Sequence, residues 1–342
     1  MSKFLALNQQ DKQDALLVAQ EQHPTKLPAY IIEKDFWVCL TLKVLYSGIA
    51  PQLKAHCHKP FIFKGGTSLS KCFGLINRMS EDIDLSFSLS LLGSKPITRE
   101  LAPSGKKQRK QAATIEANAA KFINEFLFSE LEQQLQRLDS AIRVEIESKQ
   151  PLNIAIYYPK NLPESDYGAA VQARVLLETG GRSENLPDES VSISHMLGEA
   201  IEELQDEAFS VLVLSPQRTI IEKVFGVHEN NYRETVAAKH ARHLYDIVQI
   251  DKKHPNWCEN RALFMSNIDF AQLYYAKSTA LCDSTLAGPL HLVPKNEEMY
   301  QKYLNDWLKM ADMFPDATLP YHFDDLLKKI QIIEDKANRA FY

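Results

Sequence analysis

The chain has 342 residues, of which 45% are hydrophobic and 24% charged, a composition that excludes wholesale disorder. At about 150 residues per domain, this length predicts two domains or one domain with a large extension. With 39 basic and 44 acidic residues the net charge is -5, which excludes a protein that coats nucleic acid through its mean charge but allows a local basic surface.

The apolar runs and the cysteines indicate the cellular location of the protein. The longest conspicuous apolar run, residues 209–214, is far below the about 18 residues needed to cross a bilayer. The N-terminus lacks a sustained apolar stretch followed by a cleavage site. The five cysteines are scattered and contain no CxxC pair, which favours a reduced, cytoplasmic protein without a membrane association.

Hydrophobic periodicity predicts the elements of the N-terminal half in chain order. Helices are expected over residues 7–21 and 28–46, the second with a largely apolar face. A short strand over 61–63 leads directly into a Gly-Gly-Thr-Ser turn and a helix, and a second strand is expected over 83–89. A long polar loop is predicted over 92–109, followed by a helix over 111–138.

The second half begins with strands and ends with helices. Alternating patterns predict three successive strands of a meander and one further strand; they cover residues 142–146, 152–158, 171–177 and 211–214. From Pro216 onward the pattern is helical almost to Tyr342. We therefore predict an α+β fold with three parts: an N-terminal helical segment (1–50), a mixed-sheet core (51–215) and a helical C-terminal part (216–342).

The turn Gly65-Gly-Thr-Ser68 closes a strand and opens a helix. Paired glycines allow close backbone approach to a ligand, and the start of a helix offers free N–H groups. Such a turn suits a phosphate group, although a Gly-Gly turn with a serine cap is also common as a purely structural feature.

The second chemical signal is Asp82-Ile-Asp84. Side chains two apart on a strand point the same way, so both carboxylates would project together while the intervening apolar residues face the core. A divalent cation would relieve their repulsion, whereas the alternative is an exposed pair on an edge strand. Asp82 follows Ser68 by only fourteen residues, and a nucleoside triphosphate carrying a metal ion would satisfy both features, as in metal-assisted nucleotidyl transfer.

The sequence closely resembles the AbiEii/AbiGii family of nucleotidyltransferase-like toxins, which have the polymerase beta-like nucleotidyltransferase fold. Four motifs carry the resemblance in matching order: Phe63-Lys-Gly-Gly-Thr-Ser-Leu-Ser-Lys71, Arg78-x-Ser-Glu-Asp-Ile-Asp-Leu85, Pro216-Gln-Arg-Thr-Ile-Ile-Glu-Lys223 and Arg242-His-Leu-Tyr-Asp246. A segment before the core, Glu33-Lys-Asp-Phe-Trp37, is also similar.

The resemblance implies a role for each motif. The first would bind the nucleotide through Lys64, Gly65, Gly66, Thr67 and Ser68. Asp82 and Asp84 would be catalytic and would bind Mg²⁺ or Mn²⁺. Lys223 would be catalytic and contact a phosphate; without the family pattern it would be an ordinary solvated lysine. Asp246 would belong to the active site, against the alternative of a helical ion pair with Arg242.

Two further groups remain open. The wider superfamily places a third metal carboxylate on a later strand, and Glu178 is the candidate by position, but its side of the sheet does not follow from the sequence. The alternative is that Asp246 takes this place in the family. A nucleic-acid acceptor would be bound by a basic run, Lys106, Lys107, Arg109 and Lys110, with Arg174 and Arg182 as further candidates. The alternative is that the run is a solvated loop.

The expected function is transfer of a nucleoside monophosphate from ATP, GTP or another nucleoside triphosphate to a hydroxyl of RNA, transfer RNA foremost, or of a protein. By resemblance the setting is a type IV toxin–antitoxin or abortive-infection system with a cognate antitoxin. The alternative is an inactive relative that binds nucleotide or RNA and acts through a partner. A kinase-like enzyme is disfavoured because neither a P-loop nor a His-Arg-Asp loop occurs.

Overall fold

A computed structural model describes residues 2–24, 27–80, 82–167, 172–314 and 317–342. Its helices are α1 Ser2–Leu5, α2 Gln9–Gln22, α3 Ala29–Lys43, α4 Ala50–Leu53, α5 Gly65–Lys71, α6 Gly105–Phe122, α7 Phe128–Leu138, α8 Met196–Ala200, α9 Pro216–Arg233, α10 Ala241–Lys253, α11 Arg261–Tyr275, α12 Thr279–Ala287, α13 Glu297–Leu308 and α14 Phe323–Phe341. Its strands are β1 Phe61–Lys64, β2 Ile83–Phe87, β3 Arg143–Ile146, β4 Asn153–Tyr157, β5 Arg174–Gly180, β6 Asp188–Ile193 and β7 Phe209–Leu214.

The strands form one mixed sheet in the order β3-β4-β5-β2-β1-β7-β6. The meander β3-β4-β5 is antiparallel, β5 runs parallel to β2, and β1 pairs antiparallel to β2 and parallel to β7. The predicted fold class is confirmed: a mixed sheet is combined with N-terminal helices and a helical C-terminal part.

The chain divides into two compact units. The first comprises residues 1–72, 80–96 and 114–213 and contains the sheet with the N-terminal helices. The second comprises residues 73–79, 97–113 and 214–342, and in it α10 packs against α9, α13 and α14.

The long helix α3 continues through a π-helical turn, Val44–Ile49, into α4. By length and composition this stretch, Ala29–Leu53, would suffice to cross a membrane, contrary to the expectation that all apolar runs are too short. However, 67% of its apolar window is buried inside the protein. It also carries Glu33 and Asp35, both held by polar partners of the first unit. It is therefore best described as a core helix.

Two predicted boundaries and one missed strand are the differences from the structure that matter most. The loop expected to reach Arg109 ends earlier, because α6 begins at Gly105 with the Ser104 hydroxyl accepting the backbone N–H of Lys107. Strand β6 was not predicted, since only Ile193 of this edge strand is buried and no alternation results. Strand β5 runs to Gly180 rather than stopping at 177; the start predicted for it, Val171, lies outside the described residues.

Candidate active site

The Gly-Gly-Thr-Ser turn lies where β1 passes into α5. Gly65 adopts a φ of +78°, a left-handed conformation that favours glycine. A Cβ atom at this position would lie 1.7 Å from Asp84 Oδ2 and 2.6 Å from Asp84 Cγ. Because a Cβ would occupy the space that the carboxylate fills, the absence of a side chain at residue 65 is what lets Asp84 rest against the turn.

Hydrogen bonds within the turn fix its shape. Thr67, which is buried, donates its hydroxyl to the carbonyl oxygen of Asp82 at 2.7 Å. Ser68 is fully buried and donates its hydroxyl to the carbonyl oxygen of Gly65 at 2.9 Å. In this structure both hydroxyls therefore hold protein groups: Thr67 ties the turn to the residue that precedes β2, and Ser68 closes the first turn of α5.

Sheet register answers the question of sidedness that the sequence left open for Glu178. On β2, Asp84 pairs with Lys64 of β1 on one side and with Glu178 of β5 on the other. Side chains at paired positions of neighbouring strands lie on the same face. Glu178 therefore lies on the same face as Asp84, and it is exposed. Lys64, half-buried, donates its Nζ to Ser183 Oγ at 2.8 Å.

Asp82 directly precedes β2, while Ile83 and Leu85 are buried as predicted. Within the described ranges, no group of three or more His, Cys, Asp and Glu side chains lies close enough together to hold a metal ion. Asp84 and Glu178 are neighbours in the sheet, but they do not form such a group of three with Asp82.

The N-terminal helix α3 supports α5 from the other end. Asp35 forms an ion pair of 2.7 Å with Lys71, the last residue of α5, and both side chains are buried. Asp35 also accepts the backbone N–H of Met196 at 2.7 Å. Burial by itself would lower the pKa of Lys71, but the neighbouring groups, the negatively charged Asp35 foremost, together have the larger effect, so the pKa is raised. The motif resemblance had indicated this segment without assigning it a role; its Asp35 anchors the helix of the Gly-Gly turn.

Lys223 and Asp246 come together inside the second unit. Lys223 of α9 lies 2.9 Å from Asp246 Oδ2, and the Lys223 side chain is only 10% exposed, unlike the solvated lysine of the alternative interpretation. Asp246 of α10 is completely buried and accepts two hydrogen bonds from the Arg78 guanidinium, both 2.7 Å long. The charge of Asp246 is thus balanced by Arg78 and Lys223, and not by Arg242, the partner that a helical ion pair would have used.

Burial and neighbouring charges shift the pKa values of the buried cluster formed by Arg78, Lys223, His243 and Asp246. Burial alone would raise the pKa of Asp246, but Arg78 and Lys223 outweigh it and hold that pKa well below its usual range. Burial lowers the pKa of Lys223 against the opposing effect of Asp246. Burial and the neighbouring ammonium hold the pKa of His243 well below its ordinary value, so the neutral ring accepts a Lys223 hydrogen bond at Nδ1, 3.1 Å long.

Two members of this cluster were missed. Arg78 lies in the second motif and His243 in the fourth, but the sequence alone assigns neither of them a role. The available signal for Arg78 was its place in the motif, four residues before Asp82. For His243 it was the three-residue spacing to Asp246, which places both on one face of α10.

The basic residues predicted to bind an acceptor lie on a helix instead of a loop. Lys106, Lys107, Arg109 and Lys110 are exposed in the first two turns of α6. The two further candidates are engaged inside the first unit: Arg174 pairs with Glu147 at 2.7 Å, and Arg182 pairs with Glu116.

Comparison with known proteins agrees with the motifs. The model of the family described as "Nucleotidyl transferase AbiEii toxin, Type IV TA system" matches residues 52–329, which include all four motifs and most of both units. A comparison with curated proteins gives no match. A match over this much of the chain shows that the protein belongs to the AbiEii family of nucleotidyl transferase toxins of type IV toxin–antitoxin systems.

Proposed function

We propose that the protein is a metal-dependent nucleotidyltransferase that moves a nucleoside monophosphate from a nucleoside triphosphate to a hydroxyl of RNA. The acceptor oxygen forms a bond to the α-phosphorus, the bond between the α-phosphorus and the bridging oxygen breaks, and pyrophosphate leaves. The hydroxyl proton passes to solvent or to a nearby base. Since the substrate is a cytoplasmic nucleotide and all five cysteines are free thiols, we expect the protein to act in the cytoplasm.

The observation that carries the proposal is the packing of Asp84 against Gly65. The predicted phosphate-binding turn and the predicted metal carboxylate are in direct contact, and a Cβ at residue 65 would lie 1.7 Å from Asp84 Oδ2. Thr67 joins the turn to Asp82 as well. The contact places a metal-binding type of side chain beside backbone N–H groups that suit a phosphate, which is the arrangement that a triphosphate with its metal ion requires.

The donor set fits Mg²⁺ or Mn²⁺. Both cations prefer oxygen ligands, and Mg²⁺ is commonly bound by one or two carboxylates together with substrate phosphates. Asp82 and Asp84 would hold the ion, and Glu178 is a third candidate because it lies beside Asp84 on the same face. When bound, the ion supplies charge neutralisation of the triphosphate and acidifies the attacking hydroxyl.

The protein's own groups would orient the nucleotide. The backbone N–H groups of Gly65 and Gly66, both half-exposed, are suited to phosphate oxygens, and Lys64 adds a cation at the same turn. By family resemblance Lys223 would contact a phosphate; within the second unit Asp246 and His243 hold its ammonium in place. Phosphate binding by the Thr67 and Ser68 hydroxyls requires that they exchange their present protein acceptors for the ligand.

An RNA acceptor is supported by the charge at the start of α6. Cations near a helix N-terminus interact unfavourably with the helix dipole, so four basic residues there do not serve helix stability. Lys106, Lys107, Arg109 and Lys110 would instead contact phosphates of a polyanion. A cognate antitoxin is implied by membership of the type IV family.

The test is incubation of the purified protein with each α-phosphate-labelled nucleoside triphosphate, Mg²⁺ or Mn²⁺, and total RNA or cell lysate. We expect label on RNA with wild type, none with Asp84→Asn, and normal labelling with Asp269→Asn, whose exposed side chain makes it a matched control. Labelling of a protein band instead of RNA would show that the acceptor is a protein. Nucleotide binding without any transfer would favour the alternative of an inactive binding relative.

A further inference from the structure

The second unit contains a cavity of about 300 Å³ that the proposed chemistry does not use. Three aromatic side chains line it, Tyr245, Phe314 and Tyr321, together with the polar side chains of Asn77 and Gln249. Tyr245 and Phe314 are buried and meet edge to face with their ring centroids 5.0 Å apart. The Tyr321 ring lies 6.3 Å from that of Tyr245 and is half-buried, so it forms the wall that is open to solvent.

Two lysines bring positive charge to the open wall. The Lys252 ammonium donates to the Tyr321 hydroxyl at 2.6 Å and lies 5.3 Å from its ring centroid. The Lys329 ammonium lies 5.5 Å from the same centroid. Gln249 also donates to the Tyr321 hydroxyl, at 3.1 Å. An aromatic pocket with cations at its rim is the combination that binds a nucleobase together with its phosphate.

We propose that this pocket binds one nucleotide of a single-stranded RNA acceptor, with the base against Tyr321 and Tyr245 and a phosphodiester on Lys252 and Lys329. This inference rests on the proposed function in that the acceptor is RNA. The volume is at the lower end of ligand pockets, which suits one base and its ribose. Two lysines match the charge of a phosphodiester backbone rather than the several negative charges of a triphosphate.

The pocket shares its walls with the buried ion pair. Asn77 and Tyr245 line the pocket, and the residue that follows each of them, Arg78 and Asp246, forms the pair. The Asn77 backbone N–H also donates to the Tyr245 hydroxyl at 3.2 Å. The pair thus fixes two pocket walls to each other, which gives the pocket a rigid shape before any ligand binds.

The test measures binding of fluorescein-labelled hexaribonucleotides of A, C or U by anisotropy at low salt, without divalent cation or triphosphate. Tyr321→Ala should weaken binding about tenfold or more, the effect of removing one stacked base. Tyr321→Phe keeps the ring and loses only the hydroxyl that accepts from Lys252 and Gln249, so it should weaken binding much less. Tyr232→Ala, which removes an exposed tyrosine outside the pocket, is the matched control. The Tyr321 carbonyl that accepts the Trp307 indole N–H at 3.2 Å remains in every variant, and thermal unfolding verifies the fold.

A double Lys252→Gln, Lys329→Gln variant should flatten the log–log salt dependence by about 0.7 per lost phosphate contact. Equal affinity of wild type and Tyr321→Ala, or no oligonucleotide binding by wild type, overturns the proposal. A nucleoside triphosphate that binds alone with Tyr321-dependent affinity, while the oligonucleotides do not, also overturns it and assigns the pocket to the donor nucleotide. The binding assay does not measure nucleotidyl transfer, so its result is independent of the catalytic proposal, which the labelling assay tests.

Discussion

Replacing Gly65 with alanine tests whether the contact between the turn and Asp84 matters for function. The new Cβ would lie 1.7 Å from Asp84 Oδ2, whereas Cβ contacts essentially never fall under 3.0 Å. The Asp84 carboxylate must therefore withdraw by about 1.3 Å, the difference between these two distances. A misplacement of about 1 Å in an active site costs on the order of a hundredfold in rate, and we expect a loss of that size.

Gly74→Ala is the matched control for this change. Gly74 also has a positive φ, +57° against +78° for Gly65, but a Cβ there would meet nothing within 4 Å. Both variants should lose about 1–2 kcal/mol of folding free energy, since alanine is strained in the left-handed region. The clash at Gly65 adds to this loss, because Asp84 Cγ at 2.6 Å and Cβ at 3.0 Å from the new Cβ must shift as well.

Gly65→Ala should thus be the less stable variant in urea, and under conditions where both are folded their rates of nucleotidyl transfer should differ by about a hundredfold. The assay is incorporation of α-phosphate-labelled nucleotide into RNA. If Gly65→Ala transfers nucleotide as fast as Gly74→Ala, the position of Asp84 against the turn is irrelevant to the chemistry and the proposed site is wrong.

The remaining predictions concern the acidic residues and the buried lysine. Asp82→Asn and Asp84→Asn should each abolish transfer while circular dichroism stays that of wild type; full metal-dependent activity of the double variant would contradict the metal assignment. Lys223→Ala should weaken triphosphate binding about tenfold to a hundredfold in calorimetry, as expected for a lost charge-assisted contact, and unchanged affinity would assign Lys223 to structure alone. Asp246→Asn should cost about 3–5 kcal/mol in urea unfolding because it leaves buried cations unbalanced, whereas Asp269→Asn, on an exposed pair, should change it by less than about 1 kcal/mol. The pKa of Asp246 is lowered in the folded state, so its ionised carboxylate stabilises the fold above the unfolded pKa of about 4, and this stabilisation is lost as the pH falls further. Below about pH 4 the unfolding free energy of wild type should therefore fall more steeply than that of Asp246→Asn. Parallel plots of unfolding free energy against pH for the two proteins would refute this.

Local patterns in the sequence were sufficient for much of the fold. The strand–turn–helix from β1 to α5 and the strand β2 follow from short apolar runs and a Gly-Gly turn, which are local signals in the chain. The start of α6 and the edge strand β6 were missed for a physical reason. Basic residues at a helix N-terminus oppose the dipole, and a strand with a single buried residue, Ile193, carries no periodic signal.

By itself, then, the sequence determined the family, the order of the sheet strands other than β6 and the chemical types at the site, because motif spacing and side-chain chemistry are properties of the chain. The tertiary structure alone decided which partners those groups have. Arg78 and Asp246 lie 168 residues apart in the chain yet form one buried pair. Glu178 joins the face of Asp84 only through the register of β2 with β5. Such pairings depend on how distant segments pack, and a one-residue change of register would have turned Glu178 to the opposite face of the sheet.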